Sequence, residues 1–216
     1  LNQLRDTPAG RIRLNVPEDA ATFLLSPVLP VFMDRYPDVK IDVSVSNRMV
    51  DVIDGGFDAG IRFGGTVPED MIAQRLSADV NYVVVGSPGY LARFGTPEHP
   101  HDLLNHRCIG VRLGDDRIYR WEFDRGEETI ALPVDSAVTQ DGTQFARRLA
   151  LEGAGLAYLP EPPILEDLEH GRLTRVLQPW LSPGPGFHIY YSSRRQLPEG
   201  LRLLIDMIRE LRPLGL

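Results

Sequence analysis

The sequence predicts an α/β fold built on mainly parallel sheets. Two observations carry that reading. Segments with period-2 apolar alternation take turns with segments of helical period along nearly the whole chain, the pattern of βαβ units. With 216 residues, 43% of them hydrophobic, the chain can bury one large core or two small ones.

Ile12, Leu14 and Val16 alternate with Arg11, Arg13 and Asn15 and read as the first strand. Leu25, Val28, Leu29, Phe32 and Tyr36 then recur at helical spacing, with Ser26-Pro27 as N-cap and first turn. Pro30 falls early enough to be tolerated with a distortion, and Pro37 marks the stop. Ile41, Val43 and Val45 form a second strand. Ser46 or Asn47 caps a short helix carrying Met49, Val50 and Ile53, closed by Gly55-Gly56, and residues 58–63 supply a third strand. Further on, residues 80–85 read as a strong strand and Ser87-Pro88 caps a helix through Phe94. A loop rich in Pro and His precedes a strand at 108–112. Trp121-Glu122-Phe123 and 129–134 flank a hairpin turn at Asp124-Arg125-Gly126. A short strand at 136–139, a helix at 143–152 ending on Gly153, and a buried strand at 156–159 follow. Pro162-Pro163 open a helix that stops before Gly171. After Ser-Pro-Gly-Pro-Gly at 182–186 come a strand at 187–192 and a last helix whose stripe is Leu201, Leu204, Ile205, Ile208 and Leu211.

Composition narrows function. No apolar run approaches the ~18 residues that span a bilayer. A single cysteine, Cys108, excludes an internal disulfide framework and any multi-cysteine metal site, and suits a reducing cytoplasm. The net charge of −7 opposes nucleic-acid binding, since Arg147-Arg148 and Arg194-Arg195 are isolated pairs among acids. The chain begins Leu1-Asn2-Gln3, with no leader peptide and no initiator Met, which suggests a piece of a longer protein.

Candidate chemistry is sparse. Gly153-Ala154-Gly155 follows a helix and precedes a strand, the reverse of a dinucleotide loop, so it reads as a helix cap. His99, His101 and His106 share a loop without the spacing or partners of a metal site. His188 with Ser192 or Ser193 lacks the strand–turn–helix elbow that presents a nucleophile. Glu18-Asp19 suits a helix N-terminus better than acid–base work, and Cys108 sits in an apolar strand as a core residue. No catalytic constellation, cofactor loop or metal site emerges.

Polar residues do gather at strand-to-helix junctions. Ser46 and Asn47 follow the second strand, Arg62 ends the third, and Thr139, Gln140 and Asp141 precede the helix at 143. Open α/β sheets bind ligands outside the carboxyl ends of their strands, where backbone N–H groups are free. Ser46, Asn47, Thr139 and Gln140 offer neutral donors, Arg62 a fork for a carboxylate, and Phe63 and Tyr158 an apolar wall. Capping alone, or an ion pair for Arg62, is the competing role.

Five segments in order resemble the effector-binding domain of LysR-type transcriptional regulators: Gly10-Arg11-Ile12-Arg13-Leu14, "PVLPVFMDRYPDVKIDV" (27–43), "DVIDGGFDAGIRFG" (51–64), "VVVGSPGYL" (83–91) and "ALEGAGLAYLP" (150–160). The resemblance runs from about Gly10 to Leu211. It implies two Rossmann-like lobes joined by two crossovers, the type II periplasmic-binding-protein-like fold. The first lobe would be 10–79 plus 187–216 and the second 80–186, with 1–9 the end of a linker helix. It further implies a small-molecule effector in the inter-lobe cleft, a homodimer or tetramer, and DNA contact only through an N-terminal winged helix-turn-helix. Side-by-side antiparallel pairing would set the helix at 26–36 against that at 143–152 of the partner. The function expected is inducer sensing in a cytoplasmic regulator, without cofactor, membrane contact or enzymatic activity. A periplasmic solute-binding protein for transport is the alternative.

Overall fold

The computed structural model describes residues 7–216. Most of the expected linker end at 1–9 therefore lies outside the described residues, and Thr7–Ala9 carry no regular structure. Strand β1 is Gly10–Val16, followed by α1 (Leu29–Arg35), β2 (Val39–Val45), β3 (Ala59–Phe63) and β4 (Met71–Arg75). Next come β5 (Val80–Gly86), α2 (Pro88–Phe94), β6 (Cys108–Val111), the hairpin β7 (Trp121–Arg125) and β8 (Glu128–Leu132), β9 (Ser136–Gln140) and α3 (Thr143–Leu151). The chain continues through β10 (Leu156–Pro160), α4 (Leu165–Glu169), β11 (Thr174–Val176), β12 (Ser182–Gly184), β13 (Phe187–Ser192) and α5 (Glu199–Leu211). It divides into two compact units, one running through Asp79 and resumed at Pro185–Leu216, the other Val80–Gly184. No helix among the described residues is long and apolar enough to cross a membrane.

The first unit is a sheet ordered β2-β1-β3-β13-β4. β1 pairs parallel with β2 along its whole length and with β3, while β13 returns antiparallel to β3 and β4. Ile12, Leu14 and Val16 are buried as their alternation predicts. They pack with Phe32 of α1 and with Leu201, Leu204, Ile205 and Ile208 of α5. The second unit is ordered β11-β5-β10-β6-β9, with β12 also on β5. Here β10-β6 and β6-β9 are parallel, and β5 is antiparallel to β10, β11 and β12. Alternate residues of β5 and β10 feed separate cores: Val84, Leu156 and Tyr158 meet the hairpin residues Trp121 and Phe123, whereas Val83, Val85, Ala157 and Leu159 meet Ala146 and Ala150 of α3.

Three expectations change. The sheets are mixed rather than mainly parallel, because β13 re-enters the first unit after the long excursion through the second and meets β3 head to tail. The first helix starts earlier and is broken: helical turns begin at Glu18, a π-helical stretch covers Ala20–Leu25, and α1 proper starts at Leu29. Pro27 and Pro30 supply no N–H, and the last N–H before them, that of Ser26, reaches back five residues to Ala21 O at 2.9 Å. Ser26 therefore closes the π-helical stretch and does not N-cap α1, whose N-cap is Val28. Finally, residues 47–57 form turns, not a helix. The Asp51 carboxylate accepts from the N–H groups of Ile53 (2.8 Å) and Asp54 (3.1 Å), satisfying them without helical propagation.

β4, β11 and β12 lie outside the predicted strands. β12 falls in the Pro/Gly-rich stretch, where Pro183 pairs with Asn81 on the margin of the sheet and forfeits no inner ladder bond. The histidine loop holds a 3₁₀ turn, Pro100–Asn105, whose capping box joins His99 and Asp102.

Candidate functional site

Parallel pairing brings the carboxyl ends of β1, β2 and β3 to one edge of the first unit. Ser46 N–H donates to Val16 O (2.9 Å), and its hydroxyl accepts from Arg48 N–H (3.2 Å). The Asn47 side-chain carbonyl accepts from Glu18 N–H at 3.0 Å, tying the β2 end to the turn after β1. Arg62 donates to Val50 O (2.9 Å) and Thr66 O (3.1 Å), and its guanidinium lies 4.8 Å from the centre of the Tyr190 ring. Those partners are neutral, so they fix the guanidinium's position without cancelling its charge. Phe63, half-buried, stacks on Phe187 at 4.4 Å and backs this edge from the core side.

In the second unit β6, β9 and β10 share their direction, so their carboxyl ends also meet at one edge. Thr139 pairs with Gly110, and Tyr158 stands one residue past the Ala157–Ile109 pair, level with Gly110 on its other side. Glycine is required between them: a Cβ on Gly110 would sit 2.0 Å from Ser136 Oγ and 3.4 Å from Thr139 Oγ1. Gln140 is buried, its amide spent on Gly110 O (3.3 Å) and on accepting from Gly142 N–H (2.7 Å) just before α3. Tyr158 is only 3% exposed. It stacks on Tyr82 (5.3 Å) and Trp121 (5.4 Å), and its hydroxyl donates to Glu122 O at 3.2 Å. Burial pushes its phenol up to about 12. It belongs to the aromatic core rather than to an exposed wall.

Each unit thus gathers its own sequence-chosen residues at a strand-end edge. Of the seven, Ser46, Asn47, Arg62 and Thr139 keep polar groups in reach of solvent, while Gln140 and Tyr158 are internal. Two neighbours went unchosen. Asn15 is 5% exposed although its place in the alternation marks it as outward, so its burial was not readable from the pattern. Tyr190 is 1% exposed, and its hydroxyl has no hydrogen-bond partner among the described residues. Nothing in the sequence pairs it with Arg62, because that contact depends on β13 returning beside β3.

The residues set aside have ordinary structural partners. His106 Nδ1 lies 2.7 Å from Tyr90 Oη, which also accepts from Arg107 N–H at 3.1 Å. Gly153, at φ +79°, ends α3. Cys108 is buried, its thiol pushed up to about 12 by burial. His188 Nδ1 is 2.9 Å from Gly186 O.

Comparison with known proteins is consistent across sequence and fold. The family model for the LysR substrate binding domain matches residues 5–213. YcaN, an HTH-type transcriptional regulator of Escherichia coli strain K12, is 36% identical over 209 residues, 97% of this chain and 68% of that protein. The full-length Vibrio cholerae virulence activator AphB, a member of the LTTR family, superposes with a TM-score of 0.82 at 26% identity, covering 96% of this chain and 70% of that one. The regulatory domain of CrgA, a LysR-type transcriptional regulator from Neisseria meningitidis, gives a TM-score of 0.81 at 25% identity over 95% of this chain and all of that domain. The fold is the two-lobed, periplasmic-binding-protein-like one, and relatives that are transcriptional regulators favour sensing over transport. The chain belongs to the LysR substrate-binding domain family and is the effector-binding domain of a LysR-type transcriptional regulator.

Proposed function

We propose that this domain senses a small organic anion, most simply a carboxylate, at the strand-end edge where Arg62 lies, and that it has no catalytic role. The observation that carries the reading is Arg62: a guanidinium fixed by two carbonyls and a ring, still charged, at the edge where Ser46 and Asn47 follow β2. In the second unit's own strand-end edge Thr139 would be a further donor, with Gln140 holding the start of α3 and Tyr158 giving rigid support, as Phe63 does in the first unit. A ligand bound there would stabilise the conformation for which it has the higher affinity, and so reach a DNA-binding domain elsewhere in the protein. Residues 1–9 would close the linker to that winged helix-turn-helix. The regulator would work in the cytoplasm as a homodimer or tetramer.

Isothermal titration against a library of organic acids tests the reading. Ser46→Ala and Thr139→Ala are each expected to weaken binding by about 1 kcal/mol, one neutral hydrogen bond. A cationic effector, or unchanged affinity in the double variant, overturns the site. The domain alone, with its net charge of −7, should not bind operator DNA. Nanomolar, sequence-dependent binding at ~150 mM salt would contradict that.

A further inference from the structure

We propose a second ligand site, wholly within the second unit, that takes a small multiply charged anion presenting at least two oxyanion groups. A groove of about 690 Å³ runs between α2 and α3, lined by Ser87, Tyr90, Arg93, Phe94, Arg147, Arg148, Leu151, Glu152 and Arg172 among others. That volume is in the range of pockets for metabolite-sized ligands. Its charge runs against the chain's. In a chain of net charge −7, four arginines from three separate segments converge here, and a fifth, Arg107, lies 4.7 Å from the ring of Phe94, which Arg93 also faces at 4.8 Å.

The opposing carboxylates do not fill the groove. Asp167 is completely buried behind it, accepting from Arg147 Nε (2.5 Å) and Nη2 (2.9 Å) and from Arg172 Nε (2.9 Å). Its role is to hold two guanidiniums in fixed planes. Each spends part of its five-donor fork on Asp167 and keeps the remaining N–H groups for another acceptor. Glu152 meets Arg148 at 3.8 Å and Glu166 meets Arg172 at 3.6 Å, both with largely exposed carboxylates, and such pairs yield readily to a better anion. Two anchored forks, Arg147 and Arg172, with the exposed Arg93 and Arg148 lining the same groove, match an anion with two separated charged groups. Pyrophosphate and citrate share that chemistry. Phe94, 36% exposed, would cover the body between the charges.

The test uses the chain as it stands, titrated at constant ionic strength with pyrophosphate and, separately, with citrate, while amide chemical shifts are followed. Saturable binding with Kd below about 1 mM for at least one probe is expected, with shifts centred on Ser87–Phe94 and 147–153. The double variant R93A/R148A removes only solvent-exposed side chains, and should weaken that binding at least about tenfold. S46A/T139A should leave it unchanged, which separates this site from the proposed effector site. Absence of saturation by either probe up to about 10 mM, affinity in R93A/R148A within about twofold of the parent, or shifts centred on Ser46 and Arg62 instead would each overturn the proposal.

Discussion

At the scale of single residues, two buried polar side chains have opposite standing. Asp167 is an ion with three donors from two arginines. Burial raises its pKa, but the bonds and charges of Arg147 and Arg172 outweigh that, and the carboxyl is held below its ordinary 3.8. A carboxylate with a depressed folded pKa contributes stability above its unfolded pKa and loses it as pH falls through the folded value. Asp167→Asn should therefore cost about 3 kcal/mol at neutral pH, the low end for a broken buried pair because both guanidiniums still reach water. The gap between variant and parent should shrink below pH 3.8, as urea unfolding across that range would show. A gap that persists unchanged there contradicts the assignment. Tyr190 is the reverse case, a buried hydroxyl with no hydrogen-bond partner within normal geometry among the described residues. Tyr190→Phe removes nothing that was bonded and keeps the ring under Arg62, so stability should stay within about 0.5 kcal/mol or rise. A loss above about 1 kcal/mol would mean the hydroxyl is satisfied after all.

At the scale of elements, what was legible follows from how local each determinant is. Strands β1, β5, β10 and β13 bury their side chains on the sheet and announce themselves by apolar alternation or runs. Helix α2 carries its cap, Ser87, whose hydroxyl accepts from Tyr90 N–H at 3.1 Å, next to Pro88 at its first position. The failures occur where local signals compete or the decisive partner is remote. At 46–57 cap, apolar spacing and closing glycines all suggest a helix, yet Asp51 captures the N–H groups that would propagate it. β4 is a strand because β13 lies beside it, and its own side chains, three of the five exposed, carry no such message. The site shows the same division. The strand-end placement of Ser46, Asn47, Arg62 and Thr139 was readable because the end of a strand is a local feature. Burial of Tyr158 depends on Trp121 arriving from a distant hairpin, and the Arg62–Tyr190 contact on a strand 128 positions away.

At the scale of the whole molecule, the remaining question is how copies of the domain meet, and exposed apolar side chains suggest an answer. Most large apolar residues of both units are internal, yet α1 presents Val31 (38% exposed) and Met33 (59%), and α3 presents Phe145 (56%). Side-by-side antiparallel pairing would place α1 of one copy on α3 of the other, and two-fold symmetry would form that contact twice. One substitution then acts at two places in the dimer, which multiplies its effect on association while each fold absorbs it once. Phe32 is useless as a probe, since it is fully buried beneath α1 and its loss would damage the core first. Met33→Glu and Phe145→Glu alter only exposed side chains, so circular dichroism and melting temperature should match the parent. Placing a carboxylate where a desolvated anchor belongs should raise the dimer dissociation constant by about 100-fold, the scale of an interface hot spot. Sedimentation equilibrium at tens of micromolar reads this directly. A parent chain that is strictly monomeric, or variants whose average mass equals that of a dimeric parent, would place the contact on other faces.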